Sequence, residues 1–154
     1  MSRLAGMTAP TASTSPGKSQ LLELVAALGS AQWQDFSTSA ARHGLTGAQA
    51  KLLAQLKGPV PMRGLAALLV CDASNVTGIV DRLEARGLVR REPDPSDRRV
   101  KNVVATEEGQ ETIRRVREEM MRATGDALDA FDDEERAVLH GLLERLRTGL
   151  ERRG

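Results

Sequence analysis

The chain has one cysteine, two histidines, one tryptophan, two phenylalanines and no tyrosine among its 154 residues. The lone Cys71 has no partner for an intramolecular disulfide, and with His43 and His140 it is too small a set of soft ligands for a structural zinc site. No metal and no cofactor is therefore expected, and a reducing, cytoplasmic setting fits this cysteine usage. No apolar run approaches the roughly 20 residues that a bilayer-crossing helix needs. The first residues lack the charged and apolar blocks of a signal peptide, so the chain reads as soluble, with no membrane partner. Aromatic residues make up 2% of the chain, which gives little with which to stack a flat ligand. Signatures of catalysis are missing as well. There is no Gly-rich phosphate loop, no His and carboxylate pair at metal spacing and no nucleophile elbow, so the chain is not expected to be an enzyme. The net charge is only +1. Any case for a nucleic-acid partner must rest on where the charges sit.

What is present favours helix, since Ala, Leu, Arg and Glu are abundant. Residues 1–17, rich in Ser, Thr, Ala and Pro without periodicity, read as a flexible tail. From Lys18, apolar residues recur at Leu21, Leu24, Val25 and Leu28 and again at Trp33, Phe36 and Ala40, the spacing of one helix face running to about His43. Gly44 is a natural stop, and Gly29 marks a place where that helix could break. Thr46 and Gln49 then have the spacing of a capping box, with Leu45 stapling the entry and Gly58 and Pro59 ending the helix. A short helix is predicted over Met62–Val70, with Leu65, Leu68 and Leu69 inward. Asp72 is the expected N-cap of another, Ala73–Arg86, burying Val76, Ile79, Val80 and Leu83, and Gly87 stops it.

Behind that helix lies LVRREPDPSDRRVKNVVAT, from Leu88 to Thr106. Pro93 and Pro95 mark a loop, and Val100, Val103 and Val104 supply β-branched residues to a return strand. Arg90, Arg91, Arg98, Arg99 and Lys101 outnumber Glu92, Asp94 and Asp97, so the stretch is a basic β-hairpin. Two short helices joined by a turn at Cys71 and Asp72 suit a helix-turn-helix, and a hairpin directly after the second helix makes it a winged one. With its inner face buried, the second helix turns Ser74, Asn75, Thr77, Gly78 and Asp81 or Arg82 outward, residue types suited to base edges and phosphates. Ser74 and Asn75 are equally ordinary first-turn residues, and Arg86, Arg90 and Arg91 serve either as solvated ends or as phosphate contacts.

The run from Leu45 to Gly109, most specifically TGIVDRLEARGLVRR leading into DPSDRR, resembles the multiple-antibiotic-resistance regulator (MarR) family of bacterial transcription factors. The resemblance implies a mainly α fold with a small β-hairpin, a winged helix-turn-helix flanked by N- and C-terminal dimerisation helices. It implies a homodimer binding double-stranded DNA at a pseudo-palindromic operator, a repressor released by a small-molecule effector. Carried over residue by residue, it puts Ser74, Asn75 and Thr77 in the major groove and Arg82 on base or backbone. Its Asp-X-Arg pattern matches Asp97, Arg98 and Arg99, with Asp97 bracing the arginine, Arg99 entering the minor groove and Arg98 on phosphate. A basic wing suits a narrow, electronegative groove. The alternative for Asp97 and Arg99 is a salt bridge that only stabilises the hairpin.

Residues 18–44 and 106–154 are the expected dimerisation helices, with 45–105 as the DNA-binding lobe between them. Thr106 and Glu107 open a helix with Ile113, Val116, Met120, Thr124, Ala127, Leu128 and Phe131 on one face. Asp132 and Glu135 form a second capping box before Val138, Leu139, Leu142, Leu143, Leu146 and Leu150. That much apolar surface is most simply covered by a second copy of the chain. Trp33, Phe36, His43 and Met62 are candidates to line an effector pocket, or are core. Two further readings stay open: a winged helix used as a protein-interaction module, and a redox-sensing regulator acting through Cys71.

Overall fold

The structure, a computed structural model, describes residues 15–69 and 73–152. Val70, Cys71 and Asp72 lie outside them, and so do the turn and the N-cap expected there. The chain divides into two compact units between Gln32 and Trp33. That division falls inside helix α1, Lys18–Arg42, which runs through Gly29 without a break. Helix α1 stops where expected, because Gly44 takes φ 69°, a left-handed conformation that only glycine adopts without strain.

Helix α2, Gly47–Gln55, starts at the predicted capping box: Thr46 Oγ1 accepts from the Gln49 amide at 3.2 Å, and Gln49 Oε1 accepts from the Thr46 amide at 2.9 Å. It ends earlier than Gly58 and Pro59 suggest. The Leu56 backbone leaves the helix and the side chain turns into the core, 5% exposed, so burial stops the helix rather than glycine. Two residues of strand β1, Val60–Pro61, come next, then helix α3, Met62–Leu69. Leu65 and Leu69, one turn apart, are buried. Leu68 was expected beside them and instead is exposed, because the core lies on one side of a short helix and Leu68 falls off it.

Helix α4, Ala73–Ala85, buries Val76, Ile79, Val80 and Leu83 as its periodicity predicts. Strands β2, Val89–Pro93, and β3, Lys101–Ala105, follow in an antiparallel pair with Val89 opposite Ala105 and Pro93 opposite Lys101. The hairpin is part of a three-stranded sheet ordered β1-β3-β2, a strand more than the sequence suggests. Pro93 ends β2 rather than lying in the loop. Both strands that contain proline, β1 and β2, are edges, where a missing N–H breaks no ladder.

Helix α5, Glu107–Asp129, is capped by Thr106, whose Oγ1 accepts from the Gly109 amide at 3.1 Å. Helix α6, Asp133–Glu151, opens on the predicted capping box of Asp132 and Glu135. Leu52, Leu53, Leu65, Val80, Leu83, Val103 and Val116 centre a core built from α2 to α5, the sheet and Ala40 of α1. Only Ile113 and Val116 of the expected α5 face are in it among the apolar residues, while Leu128 and Phe131 are exposed. No α6 residue is buried. Among the described residues, no helix is long and apolar enough to cross a membrane.

Candidate nucleic-acid interface

The outward face of α4 follows from its inward one. With Val76, Ile79, Val80 and Leu83 buried, Asn75, Thr77, Asp81 and Arg82 stand exposed. Ser74 is in the first turn of the same helix. Gly78, between them, has open space where a Cβ would stand, so this face is low as well as polar. Donors and acceptors on a helix of small residues suit close entry into a major groove.

The wing is organised by carboxylates that accept from its own backbone. Asp94 Oδ1 accepts from the Ser96 amide at 2.8 Å, the Ser96 hydroxyl at 2.5 Å and the Asp97 amide at 3.3 Å, and Oδ2 accepts from Asn102 Nδ2 at 2.9 Å. These bonds, the Ser96 hydroxyl and the Asn102 amide foremost, hold the Asp94 carboxyl well below the usual carboxylate range. Asp97 Oδ1 accepts from the Arg99 amide at 3.0 Å. Asp97 thus holds Arg99 through the main chain; among the described residues, its carboxylate forms no ion pair with the guanidinium of Arg98 or Arg99.

The remaining acids are matched by arginines of the same lobe. Arg91, on β2, reaches two carboxylates of α4: Nη2 donates to Asp81 Oδ1 at 2.5 Å and Nη1 donates to Glu84 Oε2, while the Arg91 amide donates to Glu84 Oε1 at 3.1 Å. The Asp81 bond, with Glu84 adding to it against partial burial, raises the guanidinium above its ordinary value. Arg90 pairs with Glu92 at 3.3 Å. Arg86, though exposed, is engaged within the protein: it donates to the carbonyls of Gly44 at 2.6 Å and His43 at 3.0 Å, closing the C-terminal end of α1. Among the described residues, Arg82, Arg98, Arg99 and Lys101 have no acidic partner. All four are exposed. The net effect is a frame whose acids are all engaged in ion pairs or hydrogen bonds, with unpaired positive charge on one helix and one wing, and a chain of net charge +1 shows none of this in its composition.

Arg91, Asp94 and Asn102 do the holding, and sequence reading had singled out none of them for it. Arg91 and its two acids lie on different elements, seven and ten residues apart, so no helix spacing links them. Asn102, a polar residue inside the β-prone run VKNVVA, was the one available signal.

The candidate pocket residues each have partners of their own. Trp33 and Phe36 rings lie 5.8 Å apart, tilted by 33°, and Lys51 Nζ sits 5.9 Å from the Trp33 ring centre. His43 Nε2 is 3.2 Å from Glu119 Oε1 on α5. Met62 packs against the core as a partly buried residue.

Residues 45–101 match the MarR family. The HTH-type transcriptional regulator PecS of Dickeya dadantii is 41% identical over 78 residues, which are 51% of this chain and 47% of that protein. The chain spans 47% to 66% of the length of the curated relatives it matches. A MarR family protein from Bacillus stearothermophilus superposes with a TM-score of 0.79 at 26% identity, over 86% of this chain and 94% of that one. CouR from Rhodococcus jostii RHA1, crystallised with p-coumaroyl-CoA, gives 0.69 at 29% identity, over 88% and 94%. With a winged helix-turn-helix over the matched residues, and a MarR family protein superposing over most of its length, the chain is similar to the MarR family of transcriptional regulators.

Proposed function

We propose that the chain binds double-stranded DNA sequence-specifically, as a cytoplasmic homodimer on a pseudo-palindromic operator, and represses until a small-molecule effector releases it. One observation carries the DNA reading: on α4 and the wing the acids are consumed internally, leaving Arg82, Arg98, Arg99 and Lys101 unpaired among the described residues. Ser74, Asn75 and Thr77 read bases in the major groove, Arg82 takes base or backbone, Arg98 takes phosphate and Arg99 enters the minor groove. Residues 45–105 form the DNA-binding lobe. Supporting the dimer, α1 exposes Leu21, Leu24 and Leu28, and α6 exposes Val138, Leu142, Leu143 and Leu150, more apolar surface than a lone chain leaves in water. Two-fold symmetry then spaces the half-sites by about one DNA turn, roughly 34–36 Å. The effector reading is supported by the family and by CouR, which holds an acyl-CoA; Trp33, Phe36, His43 and Met62 are its candidate contacts.

The experiment is selection of duplexes from a random pool by the purified protein, followed by affinity measurement against salt. A palindrome is expected, with log K falling by about 0.9 per phosphate neutralised for each tenfold rise in salt. Arg99→Ala weakens that affinity by about 1–3 kcal/mol at nearly unchanged melting temperature. A salt-insensitive association favours the protein-module reading instead, and unchanged affinity of Arg99→Ala overturns the wing assignment.

A further inference from the structure

One side chain of the wing sits against the physics of its position. Asn102 is 3% exposed in the central strand β3, opposite Pro61 on one side and Glu92 on the other. Its Nδ2 donates to Asp94 at 2.9 Å, but its Oδ1 is buried with no hydrogen-bond partner among the described residues. An amide left half satisfied in a sheet centre is less stable than an apolar side chain of the same branched shape. Stability therefore does not explain asparagine here. What the amide supplies is a tie to Asp94 Oδ2, while Asp94 Oδ1 gathers Ser96 and Asp97, and Asp97 takes the amide of Arg99. A continuous path of hydrogen bonds runs from the middle of the sheet to the tip that bears Arg98 and Arg99. The main chain at Asp94 also closes the turn, its amide donating to the Val100 carbonyl at 3.0 Å.

We propose that Asn102 is a positioning residue for DNA recognition: by anchoring Asp94 it fixes the turn that presents Arg98 and Arg99, so that the main chain bearing them is ordered before binding. The inference rests on the DNA-binding reading above. Its physical basis is preorganisation, since each rotamer-rich side chain or loop segment ordered at an interface takes affinity away.

The test compares Asn102→Leu and Asp94→Ala with the full-length wild type, each alone and combined with Arg99→Ala. Three quantities are read: melting temperature, hydrogen exchange of the Ser96, Asp97 and Arg99 amides, and Kd for the selected operator. Asn102→Leu keeps or raises the melting temperature, speeds exchange at the turn and weakens operator binding about tenfold. Asp94→Ala also speeds exchange at the turn and weakens operator binding, but it lowers the melting temperature, because it leaves the buried Asn102 amide without its partner. In the Arg99→Ala background the further loss is smaller, because part of what the turn positions is already gone and only Arg98 remains to lose. A merely structural role predicts affinity that tracks stability and an equal loss in both backgrounds, and either result overturns the proposal. Wild type that binds and Asn102→Leu and Asp94→Ala variants that bind equally well overturn it alone, whereas wild type that selects no duplex overturns the DNA reading and this inference together.

Discussion

Gly109 offers a substitution for which two physical rules predict opposite signs. It is a helical residue of α5, and by intrinsic propensity alanine there gains about 1 kcal/mol. The packing says otherwise. A Cβ on Gly109 would lie 2.0 Å from the Leu88 carbonyl oxygen, 3.0 Å from its carbon and 3.1 Å from Leu53 Cδ1. That oxygen cannot retreat freely, since it accepts the Thr106 amide at 3.0 Å, and Thr106 Oγ1 donates in turn to the Gly87 carbonyl at 2.6 Å. Gly87 itself is held at φ 71°, so the backbone on that side is already committed. Restoring an ordinary contact needs a displacement of about 1 Å or more between the base of the wing and the start of α5. Overpacking of this kind costs about 1–3 kcal/mol and sometimes more, here with loss of a cap bond added. We expect Gly109→Ala to be less stable by about 2 kcal/mol net of propensity. For a chain of this size that lowers the melting temperature by about 4–8 °C, measured at fixed protein concentration because dimerisation adds its own term. Gly78→Ala in α4, where nothing lies within 4 Å, is the control and should be up to about 1 kcal/mol more stable. A Gly109→Ala protein as stable as wild type refutes the close approach of α5 to Leu88.

The same Gly78→Ala protein should bind operator more weakly despite its stability, because the methyl stands on the face proposed to enter the groove; equal affinity argues against that face. Arg91→Ala removes the clamp between β2 and α4 and leaves Asp81 unpaired towards DNA, so it should lose about 1 kcal/mol of stability, a partly exposed pair being worth no more, and lose affinity as well. Melting and operator binding, both unchanged, count against the clamp. Since the Asp94 carboxyl lies below its ordinary value, its contribution to the wing is fully present above about pH 3.9 and is lost only as pH falls through the depressed folded value. Its NMR titration should therefore be centred well below about 3.9, and a midpoint at or above that figure contradicts the hydrogen-bonded turn. Leu142→Glu with Leu143→Glu should yield monomers by sedimentation while the core of the lobe stays folded; an unaltered dimer places the interface elsewhere.

What could be read from the sequence was local. Thr46 with Gln49 and Asp132 with Glu135 declare their helix starts within four residues, because a capping box is a short-range exchange of hydrogen bonds. Val76, Ile79, Val80 and Leu83 declare the buried side of α4 by their period alone. Features decided by distant partners were not legible. Strand β1 is two residues long, too short to alternate, and exists because Val60 and Pro61 pair with Val103 and Asn102. Leu56 ends α2 by entering a core that other elements enclose, and Leu68 is exposed for want of a neighbour on its side. In the candidate interface the residue types of α4 and the basic wing were visible. The division of its arginines into holders, Arg86 and Arg91, and unpaired ones, Arg82, Arg98 and Arg99, depends on which carboxylates and carbonyls the fold brings within reach.

That division bears on how an effector would act. The wing and α4 are bolted together by Arg91, the wing base is joined to α5 at Leu88, Thr106 and Gly109, and Arg117 of α5 donates to the Ala54 carbonyl at the end of α2 at 3.1 Å. A displacement of α5 is thereby handed to the whole reading head. Bending the wing alone would break the charge-assisted Arg91 bonds, whereas moving the head intact keeps them. In the proposed dimer the low-energy response is a change in the distance between two rigid heads. A shift of about 3.4 Å, one base-pair step, puts one α4 out of register with its half-site. Each mismatched pair then costs about 1–3 kcal/mol, so about three supply the differential affinity of about 5.5 kcal/mol that turns a bound population into a released one. Release by this route leaves the wing tip as ordered as before, with the amides of Ser96, Asp97 and Arg99 equally protected with and without effector.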